Sequence, residues 1–229
     1  MKILAASGWA HSGRELEKLI KNIIPEAKVS LFSYQEFDSS SYVTSYLEKF
    51  EELKPDLLFS WSTGGLLSLE LLCNFQVRTV LLSPFARAID EGSYKGGITK
   101  SSMRLLKSGV SSATEEALSE FFSNSMFPLS VNSEELAEFK ENALKIGKNK
   151  LLDGLSYLEQ TDLRDRLTEI KADLLLLHGA QDRIISPEAS SFINKAVPNS
   201  RRVLFGSLGH GLAYTDFREL RSAVLEFLD

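Results

Sequence analysis

The stretch LLFSWSTGGLLSLELL, Leu57 to Leu72, decides how this chain is read. It opens as an apolar run, breaks at Ser60-Trp61-Ser62-Thr63-Gly64-Gly65, and resumes with apolar residues at helical spacing. A buried strand that passes through a tight turn into a helix accounts for the pattern. Such a turn is the setting of the G-x-S-x-G elbow, whose flanking positions must be small so that the central serine can project without clashes. Gly64 fills the second small position, and Ser60 stands where the first glycine belongs. Ser62 is therefore either the N-cap of the helix or a nucleophile held out on the turn.

Working outward, six short and nearly continuous apolar runs read as buried parallel strands: residues 2–6, 28–32, 57–61, 79–83, 173–178 and 202–205. Amphipathic helical segments at 14–23, 42–53, 65–72, 188–196 and 214–228 alternate with them. This alternation predicts an α/β fold with a doubly wound, mainly parallel sheet and helices on both faces. Between 83 and 173 no strand pattern occurs, but helical patterns do, at 114–122, 133–146 and 149–160. That interval is too long for one loop in a compact domain. It reads as a helical cap over residues 85–160, inserted into a core formed by 1–84 and 161–229. Such an insertion lies above the carboxyl ends of the strands, where open α/β sheets bind ligands.

The composition is that of an ordinary globular chain: 229 residues, 43% hydrophobic and 25% charged, with a net charge of −5. The negative balance argues against nucleic acid or an anionic membrane as partner. The single cysteine, Cys73, excludes an internal disulfide framework and fits a reducing compartment. It reads as an inert thiol facing the core from the helix after the elbow. The apolar run at the N-terminus is too short to span a membrane and runs directly into Gly8-Trp9, so the protein is expected to be cytoplasmic.

Two further sites fall at strand ends. His178-Gly179-Ala180-Gln181-Asp182-Arg183 follows the fifth strand, and Leu208-Gly209-His210-Gly211 follows the last. Asp182 can cap the helix that starts near Pro187, or it can orient a catalytic histidine. His210, between two glycines, is placed on a loop able to project its ring. His178 reads as structural, and His11 as lining the rim of the site. The order Ser62, Asp182, His210 is the chain order of an α/β-hydrolase triad. In that chemistry His210 takes the proton of Ser62, and Asp182 fixes the imidazole tautomer. The backbone N–H groups of Thr63 and Trp9 are the candidate oxyanion donors. Trp9, Trp61, Phe85, Phe121 and Phe122, with Met126 near them, are candidate pocket walls. No cofactor is needed, and three scattered histidines with one cysteine make no metal pattern.

With these residues assembled, the chain resembles the α/β-hydrolases over nearly its whole length. More narrowly it is similar to the methyl ester esterases of biotin synthesis that act on a carrier-bound pimeloyl chain. The stretches that carry the resemblance are Gly8-Trp9, Trp61-Ser62-Thr63-Gly64-Gly65, Ser83-Pro84-Phe85 and LLDGLSYLEQTDLRDRL, Leu151 to Leu167. The resemblance implies a serine carboxylesterase that releases methanol from an acyl ester, with acyl-carrier protein as a possible presenter of the substrate. It also implies a sheet shortened to six strands, because the chain starts at the strand that carries the oxyanion loop. The family grips the carrier's phosphate with cap arginines; the segment 114–122 has none, leaving Lys140, Lys145, Lys148 and Lys150 as point-charge substitutes. A general short-chain esterase, a thioesterase and a non-catalytic binding protein on the same fold stay open as alternatives.

Overall fold

The computed structural model describes residues 1–32 and 42–229. Its centre is a six-stranded parallel sheet of order β2-β1-β3-β4-β5-β6. The strands are β1 (Lys2–Ala6), β2 (Lys28–Phe32), β3 (Leu57–Trp61), β4 (Thr79–Leu82), β5 (Leu174–Gly179) and β6 (Ser200–Phe205). Helices α1 (Arg14–Ile23), α2 (Tyr42–Leu53), α3 (Thr63–Leu72), α8 (Glu188–Ala196) and α9 (Phe217–Leu228) pack around it. Four more, α4 (Lys100–Ser112), α5 (Thr114–Met126), α6 (Ser133–Ile146) and α7 (Lys148–Gln160), lie between β4 and β5. No helix among the described residues is long and apolar enough to cross a membrane.

The pleat explains why the central strands are apolar at every position. Alternate side chains point to opposite faces, and each face has its own core. Leu4, Leu58, Leu81, Leu174 and Leu176 face α2, α3, α8 and the helices between β4 and β5. Ile3, Leu57, Phe59, Val80, Leu175 and Leu177 face α1 and α9. Edge strands β2 and β6 are covered less completely, which is why their sequences carry lysines and arginines.

Chain order and space order part at one place. β1 is followed by β2 on one side, and the chain then returns to lay β3 on the other, with Ala6 opposite Ser60. The carboxyl ends of β1 and β3 flank this switch point, the place where an open α/β sheet forms a crevice.

Most elements fall within two residues of the positions read from the sequence; α4, α5 and α9 differ, α5 by running on to Met126 rather than ending at 122, and so does the setting of Cys73. α4 was not anticipated, because Ser101, Ser102, Ser108, Ser111, Ser112 and Gly109 mask a helix whose buried side is only Met103 and Val110. Its start is nonetheless marked by Thr99, which accepts a hydrogen bond from the Ser102 N–H. α9 begins at Phe217 rather than 214, because Leu212–Tyr214 forms a separate tight turn and the Asp216 carboxylate caps the helix. Cys73 is only half-buried, since α3 stops at Leu72 and leaves the thiol at its end.

The helices between β4 and β5 leave and rejoin the core at one point. Arg87 Nη1 donates to the carbonyls of Glu159 and Thr161, each at 3.1 Å. Arg87 also bridges Asp162 along the backbone, and Leu163 N–H donates to Ala86 O at 2.9 Å. Replacing Arg87 by alanine leaves both carbonyls without their donor in a site where the arginine side chain is 11% exposed. Urea unfolding of Arg87→Ala is expected to show a loss of about 2–4 kcal/mol, from the usual cost of unsatisfied buried acceptors. An unchanged midpoint would show that this junction contributes nothing.

Candidate active site

Ser62 stands between the end of β3 and the start of α3 with φ 54° and ψ −116°, a backbone conformation that non-glycine residues rarely hold. Its neighbours hold it there. Ser62 N–H donates to Leu82 O at 2.9 Å, Gly64 N–H to Ser7 O at 3.0 Å, and Leu66 N–H to Ser62 O at 3.2 Å. Gly64 is obligatory: a Cβ there would sit 2.2 Å from the Ala6 carbonyl oxygen. Ser60 does more than stay small. Its Oγ lies 2.7 Å from Ser68 Oγ, which lies 2.8 Å from Tyr46 OH, a buried polar chain that ties the strand to α2 and α3.

The Ser62 side chain does not cap α3. Its Oγ lies 3.0 Å from His210 Nε2, and His210 Nδ1 lies 2.8 Å from Asp182 Oδ2. The structure thus brings together the serine, histidine and aspartate that the sequence places 120 and 28 residues apart. Nor does Asp182 cap α8. Its Oδ1 accepts the N–H groups of Ile184 and Ile185, both at 2.8 Å, while Oδ2 faces His178 Nε2 at 3.1 Å as well as His210. His178 Nε2 is also 3.2 Å from Ile185 O, so its proton sits on Nε2 between two acceptors. Burial of the Asp182 carboxyl pushes its pKa up, but the interactions with His210 and His178 outweigh burial and hold it well below the usual carboxylate range.

His210 is fixed from behind. Its carbonyl accepts the Trp61 indole N–H at 2.9 Å and Ser83 Oγ at 3.3 Å. The glycine before it is required by the end of α5, because a Cβ on Gly209 would meet the Phe127 carbonyl oxygen. The loop after β1 lies on the other side of Ser62: a Cβ on Gly8 would stand 3.3 Å from Ser62 Cβ. Neither Trp9 N–H nor Thr63 N–H makes a backbone hydrogen bond among the described residues. Among the described residues, three of the four non-glycine residues with positive φ, Ala10, Ser62 and Ser83, sit just past β1, β3 and β4.

Above Ser62 is a small apolar cavity of about 50 Å³, walled by Trp9, Phe85, Met103, Leu155 and Leu158 among others. It shares Ile98, Leu106, Phe121 and Ile184 with an outer groove of about 430 Å³ along α4 and α5. Glu116, Glu120 and Arg183 are the charged residues of that groove. Among the proposed pocket walls Trp9, Phe85 and Phe121 therefore line the cavity, and Trp61 and Phe122 do not.

Trp61 points to the opposite face of the sheet, where it packs on His11, Tyr214 and His210. Phe122 follows Phe121 by one residue on a helix and so faces elsewhere, against His11 and Phe139. Met126 belongs to the core that holds Trp61. None of Lys140, Lys145, Lys148 and Lys150 lines the groove; Lys145 pairs with Glu141 at 2.7 Å, and Lys148 reaches Ser111 O at 3.4 Å. The cation that does line it, Arg183, lies over the Phe127 ring at 3.2 Å. Sequence reading passed over it as a neighbour of Asp182.

His11 is not at a rim. It is 4% exposed, with Nδ1 2.8 Å from Tyr214 OH and its ring 4.3 Å from that of Trp61. Burial, and then the proximity of His210, lowers its pKa well below 6.5. Among the described residues no group of His, Cys, Asp or Glu is arranged to hold a metal ion.

A family model described as "Serine aminopeptidase, S33" within the Hydrolase_4 group matches residues 26–214. The pimeloyl-(acyl-carrier protein) methyl ester esterase of Vibrio atlanticus is 19% identical over 98% of this chain and 93% of its own length. An esterase from Exiguobacterium antarcticum superposes with a TM-score of 0.87 at 19% identity, covering 100% of this chain and 91% of that one. A bromoperoxidase from Bacillus anthracis gives 0.88 at 21% identity, over 99% and 91%. At such identities the superpositions establish the fold.

A pH prediction follows from His11. Its folded-state pKa is depressed, so below about pH 6.5 the unfolded chain binds a proton that the folded chain refuses, and stability falls as pH drops. That single proton contributes a slope of at most about 1.4 kcal/mol per pH unit. Asp182 titrates far below this window. Between pH 6.5 and 5, His11→Phe should therefore lose stability less steeply than wild type. Parallel denaturation curves across that range would refute the assignment.

Proposed function

The chain belongs to the α/β-hydrolase family described as serine aminopeptidase S33, and from that membership we propose that it is a serine carboxylesterase. One observation carries the reading: an unbroken relay from Ser62 Oγ through His210 to a buried Asp182, beneath an apolar cavity. His210 Nε2 accepts the serine proton as Oγ attacks the ester carbonyl carbon. The oxyanion that forms is met by the N–H groups of Thr63 and Trp9. Collapse expels the alcohol, which takes its proton from His210 and leaves an acyl-enzyme. Water, deprotonated by the same histidine, then releases the acid. Asp182 keeps the Nδ1 proton in place and stabilises the imidazolium throughout.

The family description names an aminopeptidase. Recognition of an α-ammonium group requires a carboxylate near the reacting carbon, and the cavity walls contain none; Glu116 and Glu120 stand in the outer groove. An uncharged acyl chain suits the cavity and groove better. Residues 85–160 act as the cap that provides both.

A carrier-bound pimeloyl methyl ester is the finer reading. It draws on the Vibrio atlanticus relative and on the Leu151–Leu167 segment, whose α7 residues Leu155 and Leu158 wall the cavity. Against it, the groove offers one arginine and two glutamates where the carrier's phosphate would be held. A simple short-chain ester or thioester is the second reading, favoured by that same charge pattern.

Hydrolysis of p-nitrophenyl butyrate should be readily measurable in wild type. It should fall by roughly 10⁴ or more in Ser62→Ala and by about 10⁴ in Asp182→Asn. A fluorophosphonate should label wild type and not Ser62→Ala. Absence of both turnover and labelling in wild type overturns the enzyme reading. Complementation of a biotin auxotroph that lacks the methyl esterase tests the substrate; failure alongside activity on simple esters leaves the second reading.

A further inference from the structure

We propose that His11 and Tyr214, with Trp61 between them, form a clasp that holds in register three of the four loops of the site, those of Trp9, Ser62 and His210, and that His11 is a positioning residue for the oxyanion loop. The proposal rests on the reading of Ser62 as nucleophile.

Each of these three loops contributes one member. His11 closes the turn after β1, with its N–H donating to Gly8 O at 3.2 Å. Trp61 is the last residue of β3, next to Ser62. Tyr214 ends the tight turn that follows His210, and its N–H donates to Gly211 O at 3.0 Å. The three are joined pairwise. His11 Nδ1 meets Tyr214 OH at 2.8 Å, the Trp61 ring lies 4.3 Å from His11 and 5.7 Å from Tyr214, and the Trp61 indole N–H holds His210 O. A shift of any one loop must therefore break a hydrogen bond or a ring contact with another.

The oxyanion loop is the one that needs holding. It turns through Ala10 at φ 64°, a strained conformation that persists only when its surroundings impose it. Its other side-chain anchor, Trp9 Nε1 to Leu151 O at 2.9 Å, leads to α7 and not to the sheet. The His11–Tyr214 bond is what ties the loop to the segment carrying the base.

The chemistry of the pair favours histidine at this position. Tyr214 is largely enclosed, and burial raises its pKa, so its hydroxyl stays protonated and requires a partner. A neutral imidazole supplies one without charge. A lysine or arginine would place a cation beside His210, which itself becomes cationic during turnover. Among the described residues, the groups that face the His11 ring are Trp61, Phe121, Phe122, Tyr214 and His210, with no carboxylate among them to hold a proton on it.

The test is turnover of p-nitrophenyl butyrate per active site, with sites counted by fluorophosphonate titration so that loss of folded protein does not enter. Tyr214→Phe removes only the hydroxyl, and His11→Phe keeps a ring without its nitrogen. Both should lower kcat by about tenfold at nearly unchanged KM, less than the loss from deleting an oxyanion donor outright. His11→Asn, which can place a polar atom near the lost Nδ1, should recover most of kcat. If both ring variants keep kcat within about twofold of wild type, whatever happens to Tm, the proposal is overturned. It is also overturned if His11→Asn is as slow as His11→Phe. Turnover that survives Ser62→Ala overturns the nucleophile reading and this proposal together, whereas turnover lost in Ser62→Ala but unaltered in the clasp variants overturns the proposal alone.

Discussion

The parallel pairing of β1 with β3, which sets Ala6 opposite Ser60, is the constraint on which the site depends. It brings two strand ends side by side at the point where the chain reverses its direction of winding. The loop of Gly8 and Trp9 and the turn of Ser62 then emerge against each other. The approach is so close that position 64 has no room for any side chain. Ala10 and Ser62, on the two connections that leave these strand ends, both hold a positive φ. Their strain is borne by the hydrophobic layers on both faces of the sheet, whose central strands are wholly buried.

Asp182 imposes a second demand. An ionised carboxylate out of water is costly unless its oxygens are met by donors. Here two backbone N–H groups occupy Oδ1, and two imidazoles converge on Oδ2. His178 thereby acquires a purpose that its place at a strand end does not disclose: it satisfies the carboxylate from the side that His210 leaves open. The aspartate is held ionised and immobile, with one oxygen aimed at His210 Nδ1.

Much of this was legible in the residues. Six apolar runs with helical segments between them specify a two-sided parallel sheet, because only strands covered on both faces dispense with polar alternation. Ser62, Asp182 and His210 were legible because each follows a different strand, in an order and a setting that constrain chemistry. What stayed hidden depends on contacts between distant segments. The direction of Trp61 follows from the pleat of β3, which sends it to the far face from Phe85 and Phe121. His11 and Tyr214 are 203 residues apart and carry no shared pattern. Helix α4 escaped notice because its serines and its glycine are poor helix formers, and packing against α5 and α7 supplies what propensity does not.

The junction at Arg87 has a consequence for how such a chain diversifies. The helices between β4 and β5 depart and return through one hydrogen-bonded neck, but α7 also holds the Trp9 indole through Leu151 O and the residue after α5, Phe127, presses on Gly209. Lengthening a closed loop adds little, about 0.6 kcal/mol for each doubling. The solvent-facing sides of α4 to α6 can thus be extended or recharged at little cost to strand register, whereas α7 and the end of α5, which touch Trp9 and Gly209, are bound to the residues beneath. Change on the outer surface of these helices is therefore far less constrained than change at the contacts they make inward.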